Sequence, residues 1–351
     1  MLRYGKNLSN NEKLNKIVLF SLQISIAVCL DLLCGDPKWF YHPVRGIGSL
    51  CTLFERICRN RLEFLGTRLC GIATFFLVLS VSLCILAVFF SILQNVSRFA
   101  AAVAAVLLLY LLLAAGDLLV HSRRVYSSLQ RSDIVQARAD VAMLVGRETD
   151  TMNEGEIARA CVESVAENTV DGVTAPLFWA VSAAFLCEGL FFQPLIWAVF
   201  GACFYKCVNT MDSMFGYRND RYVEFGWLAA RVDDLVNFIP ARLTALFIVA
   251  AAFLLKLDYR NGARILSRDR LKSSSPNSGH PEAAVSGVLN IELGGPAIYF
   301  GQRTESPRIG AGQKCASAID IKSTNRLCIA AALIFFIALL LAYNSGMLIF
   351  T

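Results

Sequence analysis

Three long apolar runs constrain this chain more than any other feature of its sequence. They cover residues 69–93, 99–120 and 327–350. About 20 apolar residues in a helix are enough to cross the hydrocarbon core of a bilayer. Charged residues make up only 17% of the 351-residue chain, against roughly 25% in soluble domains. The sequence therefore predicts a polytopic membrane protein and excludes a disordered chain or a coiled coil.

Three further apolar segments extend this prediction. Residues 173–208 are long enough for two spans, with a turn or kink at Gln193-Pro194. Residues 235–257 form another candidate, whereas residues 17–33 either span the bilayer or lie re-entrant. We predict an all-α polytopic membrane protein with five to seven membrane segments and amphipathic helices in its polar connecting segments. Residues 1–351 are expected to form a single integral membrane domain.

The polar connecting segments cover residues 34–68, 121–172, 209–234 and 258–326. The first and last are rich in Lys and Arg, which favours the cytoplasmic side of a cell membrane. The second contains amphipathic patterns at residues 134–145, closed by Gly146, and at residues 153–168, and we expect both to be surface helices beside the membrane. The topology is open, because placing all four connections on one side leaves residues 235–257 as a single crossing.

Charge and cysteine patterns exclude other classes. The net charge is +6, but Lys and Arg lie in short segments between apolar runs, which favours anchoring beside anionic lipid headgroups over nucleic-acid binding. The twelve cysteines include no CxxC pair, so zinc-finger spacing is absent. No P-loop, HExxH or GxSxG motif occurs either, and a nucleotide would not be held by a standard P-loop.

The first candidate site lies on one predicted helix face, where Glu163, Glu167 and Asp171 recur four residues apart. Like charges at this spacing repel each other, so either a divalent cation or an ammonium group lies between them, or the face is simply solvated. The segment runs directly into an apolar run. Ionisable groups beside a membrane segment are costly and usually functional, which favours the binding site.

A second cluster combines Lys206, Asn209 and Ser213 at helical spacing with Asp212 one position away. The ammonium, amide and hydroxyl donors suit phosphate or carboxylate, and the aspartate suits a hard cation. The alternative is that Lys206 only reaches toward the membrane interface. That alternative does not account for Asp212.

A third cluster places Asp233 and Asp234 directly before an apolar run, with Asn237 one turn later and Arg231 and Arg242 on either side. Mg²⁺ typically takes one or two carboxylates plus substrate phosphates, so this pair is a candidate magnesium site. The alternative is an acidic helix start that the helix dipole favours, although one acid is enough for that.

Two weaker candidates lie in turns. Ser275 and Asn277 belong to a Ser-Pro-Asn-Ser-Gly turn that either cradles phosphate or precedes a helix that Pro281 starts and Ser278 caps. His42 lies in a proline-containing turn and is a possible acid–base group, although a histidine in such a turn is more often structural.

In this order, these segments resemble the adenosylcobinamide-phosphate synthase family, the CobD/CbiB membrane enzymes of cobalamin biosynthesis. The resemblance runs from about residue 30 to residue 325. One departure is that the family pattern reads Gly-Arg-Asp where Glu148 follows Arg147, which keeps the charge. The matching strings are Asp31-Leu-Leu-Cys-Gly-Asp-Pro37, His42-Pro-Val44, Val145-Gly-Arg147, Val162-Glu-Ser-Val-Ala-Glu-Asn-Thr-Val-Asp-Gly172, Pro176-Leu-Phe178, Tyr205-Lys-Cys-Val-Asn-Thr-Met-Asp-Ser-Met214, Phe225-Gly-Trp227, Ala230-Arg-Val-Asp-Asp234, Pro240-Ala-Arg242, Ser275-Pro-Asn-Ser-Gly279 and Leu293-Gly-Gly-Pro296.

The resemblance implies an amide ligase that depends on ATP and Mg²⁺. It would join the free propionate carboxyl of adenosylcobyric acid to (R)-1-aminopropan-2-ol or its O-phosphate, with the carboxylate activated as an acyl phosphate. The expected partners are these substrates, the lipid bilayer and other cobalamin-pathway enzymes. Nucleic acid is not among them.

The resemblance implies a role for each type of candidate residue. The metal ligands are expected to be Asp212, Asp233 and Asp234. Acid–base roles fall to Glu163, Glu167, Asp171 and His42. The expected substrate and phosphate ligands are Arg147, Asn168, Lys206, Asn209, Ser213, Arg231, Asn237, Arg242, Ser275 and Asn277.

The sequence also leads to an alternative function and to an expected preference between the two amines. The alternative function is a transporter of an anionic solute, with the same acids and arginines lining a path; the long polar connections argue against it. The cations of the polar clusters also outnumber what a nucleotide needs, which predicts a preference for the phosphorylated amine. These cations are Arg147, Lys206, Arg218, Arg231, Arg242 and Arg268. We expect all four clusters to converge on one pocket.

Overall fold

The computed structural model describes residues 10–37, 41–217, 219–299, 301–310 and 314–350. An antiparallel hairpin of β1 (Leu293–Tyr299) and β2 (Gln302–Ile309) separates the last two helices. The helices are α1 (Asn10–Cys34), α2 (Pro43–Arg61), α3 (Thr67–Val96), α4 (Arg98–Leu112), α5 (Ala115–Gln130), α6 (Ile134–Ala142), α7 (Glu154–Thr169), α8 (Ala175–Leu186), α9 (Pro194–Phe215), α10 (Trp227–Val236), α11 (Phe238–Leu254), α12 (Tyr259–Asp269), α13 (Gly279–Leu289) and α14 (Ala318–Phe350).

Among the described residues, five helical stretches are long and apolar enough to cross a bilayer. A sixth is added if α10 and α11, which meet at a bend of 45°, form one span. The prediction of an all-α polytopic membrane protein is thus confirmed. The five stretches are Asn11–Cys34, Thr67–Val96, Arg98–Gln130, Glu154–Leu186 and Ala318–Ile349.

The helix predicted at residues 153–168 is not a surface helix, and that prediction is wrong. α7 begins with a capping box between Asn153 and Glu156, and most of its residues are buried. It continues through a π-helical turn, Val170–Thr174, into α8. Small side chains such as Ala158 and Ala166 let neighbouring helices pack on all sides of α7, and the polar first turn hides this from the sequence pattern.

Three other boundaries differ from the sequence predictions. α6 ends at Ala142, before Gly146, with Met143 as its C-cap. The run at residues 99–120 is interrupted between α4 and α5, where the Asp31 carboxylate accepts hydrogen bonds from the backbone N–H groups of Ala115 (2.9 Å) and Gly116 (3.2 Å). A buried carboxylate thus satisfies the free N–H groups of a helix start. Residues 173–208 contribute to one of the five stretches rather than two, although the turn at Gln193-Pro194 is confirmed.

The sequence did not predict the β-hairpin. Of the β2 residues, Ile309 is buried and the others are exposed, so the alternation that identifies a strand is absent. At the start of β1, Gly294 and Gly295 have φ angles of 80° and 86°, a backbone region that favours glycine. The hairpin register shifts at this point, between Leu293 and Gly295.

The described helices bury their apolar side chains in two clusters. One includes Val170 and Val173 together with residues of α1 to α4, α8 and α9. The other includes Val165 and Ala166 together with residues of α5, α6 and α11 to α14. The chain passes from the second cluster to the first at the π-helical turn. The candidate acids Glu167 and Asp171 therefore lie where the two clusters meet.

Candidate functional site

Two adjoining cavities collect most of the polar residues that the sequence singled out. We call the first the acid cavity; its volume is about 290 Å³, and carboxylates line it. The second, the serine cavity, has a volume of about 260 Å³. Four residues line both cavities, namely Glu167, Ser274, Ser275 and Ser278. All four sequence clusters contribute to this pair of cavities, as the convergence prediction requires.

The acid cavity brings together five carboxylates from α7, the π-helical turn, α9 and α10. They are Glu167, Asp171, Asp212, Asp233 and Asp234. Asn237 and Asn277 also line this cavity. Carboxylate and amide oxygens are the ligands that hard cations such as Mg²⁺ prefer.

Asp171 is held in place by residues of α9 and by the bend after α10. Its Oδ1 lies 3.1 Å from the Tyr205 hydroxyl, which also lies 3.0 Å from Asn237 Oδ1. Asn209 Nδ2 donates to Asp171 Oδ2 at 3.3 Å, and Lys206 Nζ donates to the Asp171 backbone oxygen at 2.9 Å. Lys206 is buried, so it does not reach toward the membrane interface. Lys206 and Asn209 line neither cavity; they position Asp171.

Asp233 has an unsatisfied oxygen. Its Oδ2 accepts from Asn237 Nδ2 at 3.0 Å, whereas its buried Oδ1 has no hydrogen-bond partner among the described residues. A buried unsatisfied acceptor calls for an explanation such as a bound ion. Within the same part of the chain, no group of three His, Cys, Asp or Glu side chains is placed to hold a metal. Mg²⁺ needs only one or two carboxylates when substrate phosphates complete its shell, so the acid cavity fits this ion.

The loop before α13 connects the acid cavity to α10 and α11. Asn277 Nδ2 donates to the Asp234 backbone oxygen at 2.8 Å, and Asn277 Oδ1 accepts from Arg242 Nη1 at 3.1 Å. Ser275 Oγ accepts from the backbone N–H of Asn277 at 3.2 Å and of Ser278 at 3.3 Å. The expected helix start at Pro281 is wrong, because α13 begins at Gly279, and the Ser278 side chain makes no capping hydrogen bond.

Glu163 faces the serine cavity but is already paired. The Arg147 guanidinium forms a salt bridge with one carboxylate oxygen of Glu163, and Arg159 Nε lies 3.9 Å from the other. The backbone N–H of Gly294 donates to Glu163 Oε1 at 2.7 Å. Glu163 is buried, and these contacts tie α7 to the β-hairpin. Glu167, one turn further along α7, is exposed to the cavities instead.

Glu282 is a site residue that sequence reasoning missed. It lies in the first turn of α13 and lines the serine cavity. Burial, together with the nearby Glu167 and Glu163, raises the pKa of Glu282 well above its usual range. An acid in the first turn of a helix is ordinarily explained by the helix dipole. Its place directly after the serine-rich turn was the available signal.

Several predicted ligands line neither cavity. The Asn168 amide donates to the Ser164 backbone oxygen, and the Ser213 hydroxyl donates to the Asn209 backbone oxygen. Arg231 is exposed on α10. His42 caps α2: its Nδ1 accepts from the Val44 N–H at 3.3 Å, and its Nε2 lies 3.5 Å from Asp36 Oδ2.

The cations are also distributed differently from the sequence expectation. Among the described residues that line the two cavities, Arg147 is the only lysine or arginine. Arg242 contacts Asn277 and the Phe238 ring, and Arg268 pairs with Asp269. Arg218 lies outside the described residues. The described lining of the two cavities therefore does not have the excess of cations on which the expected preference for the phosphorylated amine depended.

Comparisons with known proteins point to one family. A family profile described as CobD/Cbib protein matches residues 24–328. The chain is 43% identical over 310 residues to "Cobalamin biosynthesis protein CobD" of Desulfotalea psychrophila, covering 88% of this chain and 93% of that protein. It is 38% identical over 323 residues to the protein of the same name from Leptospira interrogans, covering 92% and 98%. The same-named Clostridium perfringens protein is 40% identical over 306 residues, covering 87% and 92%. No solved structure matches.

Proposed function

The chain belongs to the CobD/CbiB family, and from this premise we propose that it is an ATP- and Mg²⁺-dependent amide ligase. Its role is in cobalamin biosynthesis, and it is a multi-pass membrane protein with corrinoid-related substrates. The proposed reaction joins the free propionate carboxyl of adenosylcobyric acid to (R)-1-aminopropan-2-ol or its O-phosphate. The product is adenosylcobinamide or its phosphate.

The observation that carries the proposal is the acid cavity beside the serine cavity, with Asp233 Oδ1 unsatisfied in the described part of the chain. A carboxylate does not condense with an amine in water unless it is first activated. Such chemistry needs carboxylates for a cation on one side and a proton acceptor for an ammonium on the other. The two cavities offer both within one pocket.

In this proposal the carboxylates of the acid cavity have different roles. Asp212, Asp233 and Asp234 would hold Mg²⁺, which supplies positive charge to nucleotide phosphates when bound. Asp171 is kept in the cavity wall by Tyr205 and Asn209. These contacts hold both oxygens of the half-buried Asp171 carboxylate in the cavity wall.

In this proposal the proton acceptor is Glu167, which lies in the wall between the two cavities. Glu167 lines both cavities, so its carboxylate can take a proton from an ammonium on one side while the activated carboxyl lies on the other. Arg147 lines the serine cavity and is oriented by Glu163. Its guanidinium is placed to interact with an oxyanion or phosphate oxygen.

The second candidate is a transporter of an anionic solute, and one observation favours it. Glu167 and Asp171 lie at a π-helical break within the stretch Glu154–Leu186. Transporters build their binding sites at interrupted membrane helices. The π-helical turn also places functional residues in many enzymes, so a direct assay is needed to separate the two functions.

The experiment is amide formation by the purified full-length protein in detergent. Adenosylcobyric acid, ATP, Mg²⁺ and either amine are supplied, and the product is identified by mass. We expect ATP-dependent amide formation, and we expect Asp234→Asn to abolish it without changing expression or membrane insertion. Substrate accumulation in proteoliposomes without ATP cleavage would support the transporter instead.

We also propose that the protein resides in the cell membrane with both cavities open to the cytoplasm, because ATP is available there. A cysteine introduced at Ser274, which lines both cavities, should react with a membrane-impermeant maleimide in inside-out vesicles. It should not react above the wild-type background in right-side-out vesicles. The opposite pattern would contradict this orientation.

A further inference from the structure

The serine cavity contains more negative than positive charge. Three carboxylates line it, and Arg147 is the one cation among its described lining residues. Arg147 already forms a salt bridge with Glu163, which also receives the Gly294 N–H and lies near Arg159. Among the ion pairs within the described residues, none includes Glu167 or Glu282. These two carboxylates are therefore left for a ligand.

The two carboxylates come from different helices that pack together. Glu167 is on α7 and Glu282 is on the first turn of α13. Burial, Glu167 and Glu163 raise the pKa of Glu282 more than Arg147 lowers it, so the one cation of the described lining does not balance the three carboxylates. A positive charge between Glu167 and Glu282 would offset this repulsion.

The rest of the wall is uncharged and combines apolar side chains with neutral hydrogen-bonding groups. It includes Ser273, Ser274, Ser275 and Ser278, and the glycines that open β1. Ser273 and Ser278 hydroxyls lie 2.9 Å apart, whereas Ser274 is exposed and lines both cavities. A hydroxyl can donate a hydrogen bond to either an alcohol or a phosphate ester.

The size of the cavity narrows the class of ligand. Its volume, about 260 Å³, lies below the roughly 300–1,000 Å³ of most ligand pockets. The acid cavity is of similar size, about 290 Å³, so the charge of the lining rather than the volume separates the two cavities. The serine cavity suits a short aliphatic amine rather than a corrinoid. The negative lining and the volume of the serine cavity therefore both favour a small organic cation that carries a hydroxyl or a phosphate ester.

We propose that the serine cavity is the amine subsite, in which Glu167 and Glu282 together hold the primary ammonium and the serine loop faces the hydroxyl or phosphate ester. This rests on the proposed ligase function and adds Glu282 as the residue that selects for the amine. It also separates the amine from the acid cavity, where the nucleotide and Mg²⁺ would bind.

The test is the KM for each substrate in Glu282→Gln, measured with the full-length protein in detergent. We expect the KM for the amine to rise at least tenfold, with both (R)-1-aminopropan-2-ol and its O-phosphate, because one partner of a charged hydrogen bond is lost. The KM for ATP should stay within about twofold of wild type. Glu282→Asp retains the charge, and the rise should be smaller.

The matched control is Glu305→Gln, which removes an exposed carboxylate of the hairpin that does not line the cavity. It should leave both KM values unchanged. The unfolding temperature of Glu282→Gln should equal or exceed that of wild type, since a repelled buried charge is removed. If that variant does not fold, the selective rise in amine KM is sought in Glu282→Asp alone.

The outcomes separate this inference from the function on which it rests. If the wild-type protein forms no amide with either amine, the ligase proposal fails and the amine subsite falls with it. If the wild-type protein is active but neither Glu282 variant changes the KM for the amine, the subsite is wrong and the ligase stands. Equal rises in the KM values for the amine and ATP would also overturn the subsite.

Discussion

The acid cavity and the serine cavity share a wall, and two of their carboxylates, Glu163 and Asp233, differ in how far their oxygens are satisfied. In the serine cavity, Glu163 is paired with Arg147 and with the Gly294 N–H. In the acid cavity, Asp233 keeps one buried oxygen without a partner in the described structure. The contrast teaches that a satisfied buried acid holds elements together, whereas an unsatisfied one is available for a ligand.

Of the variants in this comparison, the largest effect is expected for the one at the unsatisfied acid. Asp233→Asn removes the charge that a cation would meet, so turnover should fall by about 100- to 1,000-fold. The fold should be unaffected, because Asn keeps a hydrogen bond to Asn237 and removes a buried charge. The measurement is kcat over a range of Mg²⁺ concentrations. The control is Asp220→Asn, at an exposed aspartate. Wild-type turnover in Asp233→Asn would contradict the proposal that the unsatisfied acid binds a cation.

The satisfied acid should respond in stability instead. Arg147→Met leaves Glu163 buried without its salt bridge, which should lower the free energy of unfolding by about 2–4 kcal/mol. Gly294 and Arg159 still contact Glu163 and limit the loss. The double variant with Glu163→Gln should recover part of this stability, because the buried carboxylate is removed. Arg159 loses its ion pair with Glu163 but keeps its hydrogen bond to the Pro296 backbone oxygen. A double variant less stable than Arg147→Met would show that the pair is not coupled in this way.

A third comparison uses a paired acid that lines neither cavity. Asp269 is buried and accepts from the Arg268 side chain at 2.7 Å, from Lys272 Nζ at 2.9 Å and from the Gly310 N–H at 2.8 Å. These contacts hold the pKa of Asp269 below its usual range. Asp269→Asn should cost about 1–3 kcal/mol of unfolding free energy, because its cationic partners are partly exposed.

The pH dependence of this loss has a definite sign. A carboxyl whose pKa is lower in the folded protein stabilises the fold fully above its unfolded pKa, about 3.9 for Asp. The stability difference between the wild type and Asp269→Asn should therefore be constant from pH 7 to about pH 5. It should shrink as the pH falls below about 4. A difference that grows on acidification would refute the assignment.

The smallest effect is expected at His42, which was a catalytic candidate from sequence. His42→Asn keeps a side chain that accepts from the Val44 N–H, so the free energy of unfolding should change by less than about 1 kcal/mol. Turnover should remain at the wild-type level, because His42 lines neither cavity. A loss of turnover comparable to that of Asp233→Asn would restore His42 as an acid–base residue.

Some residues of the candidate site could be predicted from the sequence, whereas others could not. Acids beside apolar runs, such as Glu167 and Asp233, were found because ionisable groups near a membrane segment are costly. Lys206 and Asn209 were also found, but their role was not, since it depends on which atom of Asp171 lies within reach. Glu282 was missed because a first-turn acid has an ordinary explanation in the helix dipole.

The fold shows the same division. The long apolar runs and the turn at Gln193-Pro194 follow from local composition and were confirmed. The burial of α7 and the strands Leu293–Tyr299 and Gln302–Ile309 were not predicted. Each depends on what packs against the segment, and a segment's own pattern of polar residues does not record its neighbours.

The sequence by itself determined that this chain is a helical membrane protein, since apolar runs of that length have no other stable solution, and it located the segments whose acids and amides line the two cavities. Only the tertiary structure decided which acids are satisfied and which are left for ligands. The physical reason is that hydrogen-bond satisfaction is a property of pairs of groups. Glu163 meets Gly294 and Asp171 meets Asn209 only after the helices pack.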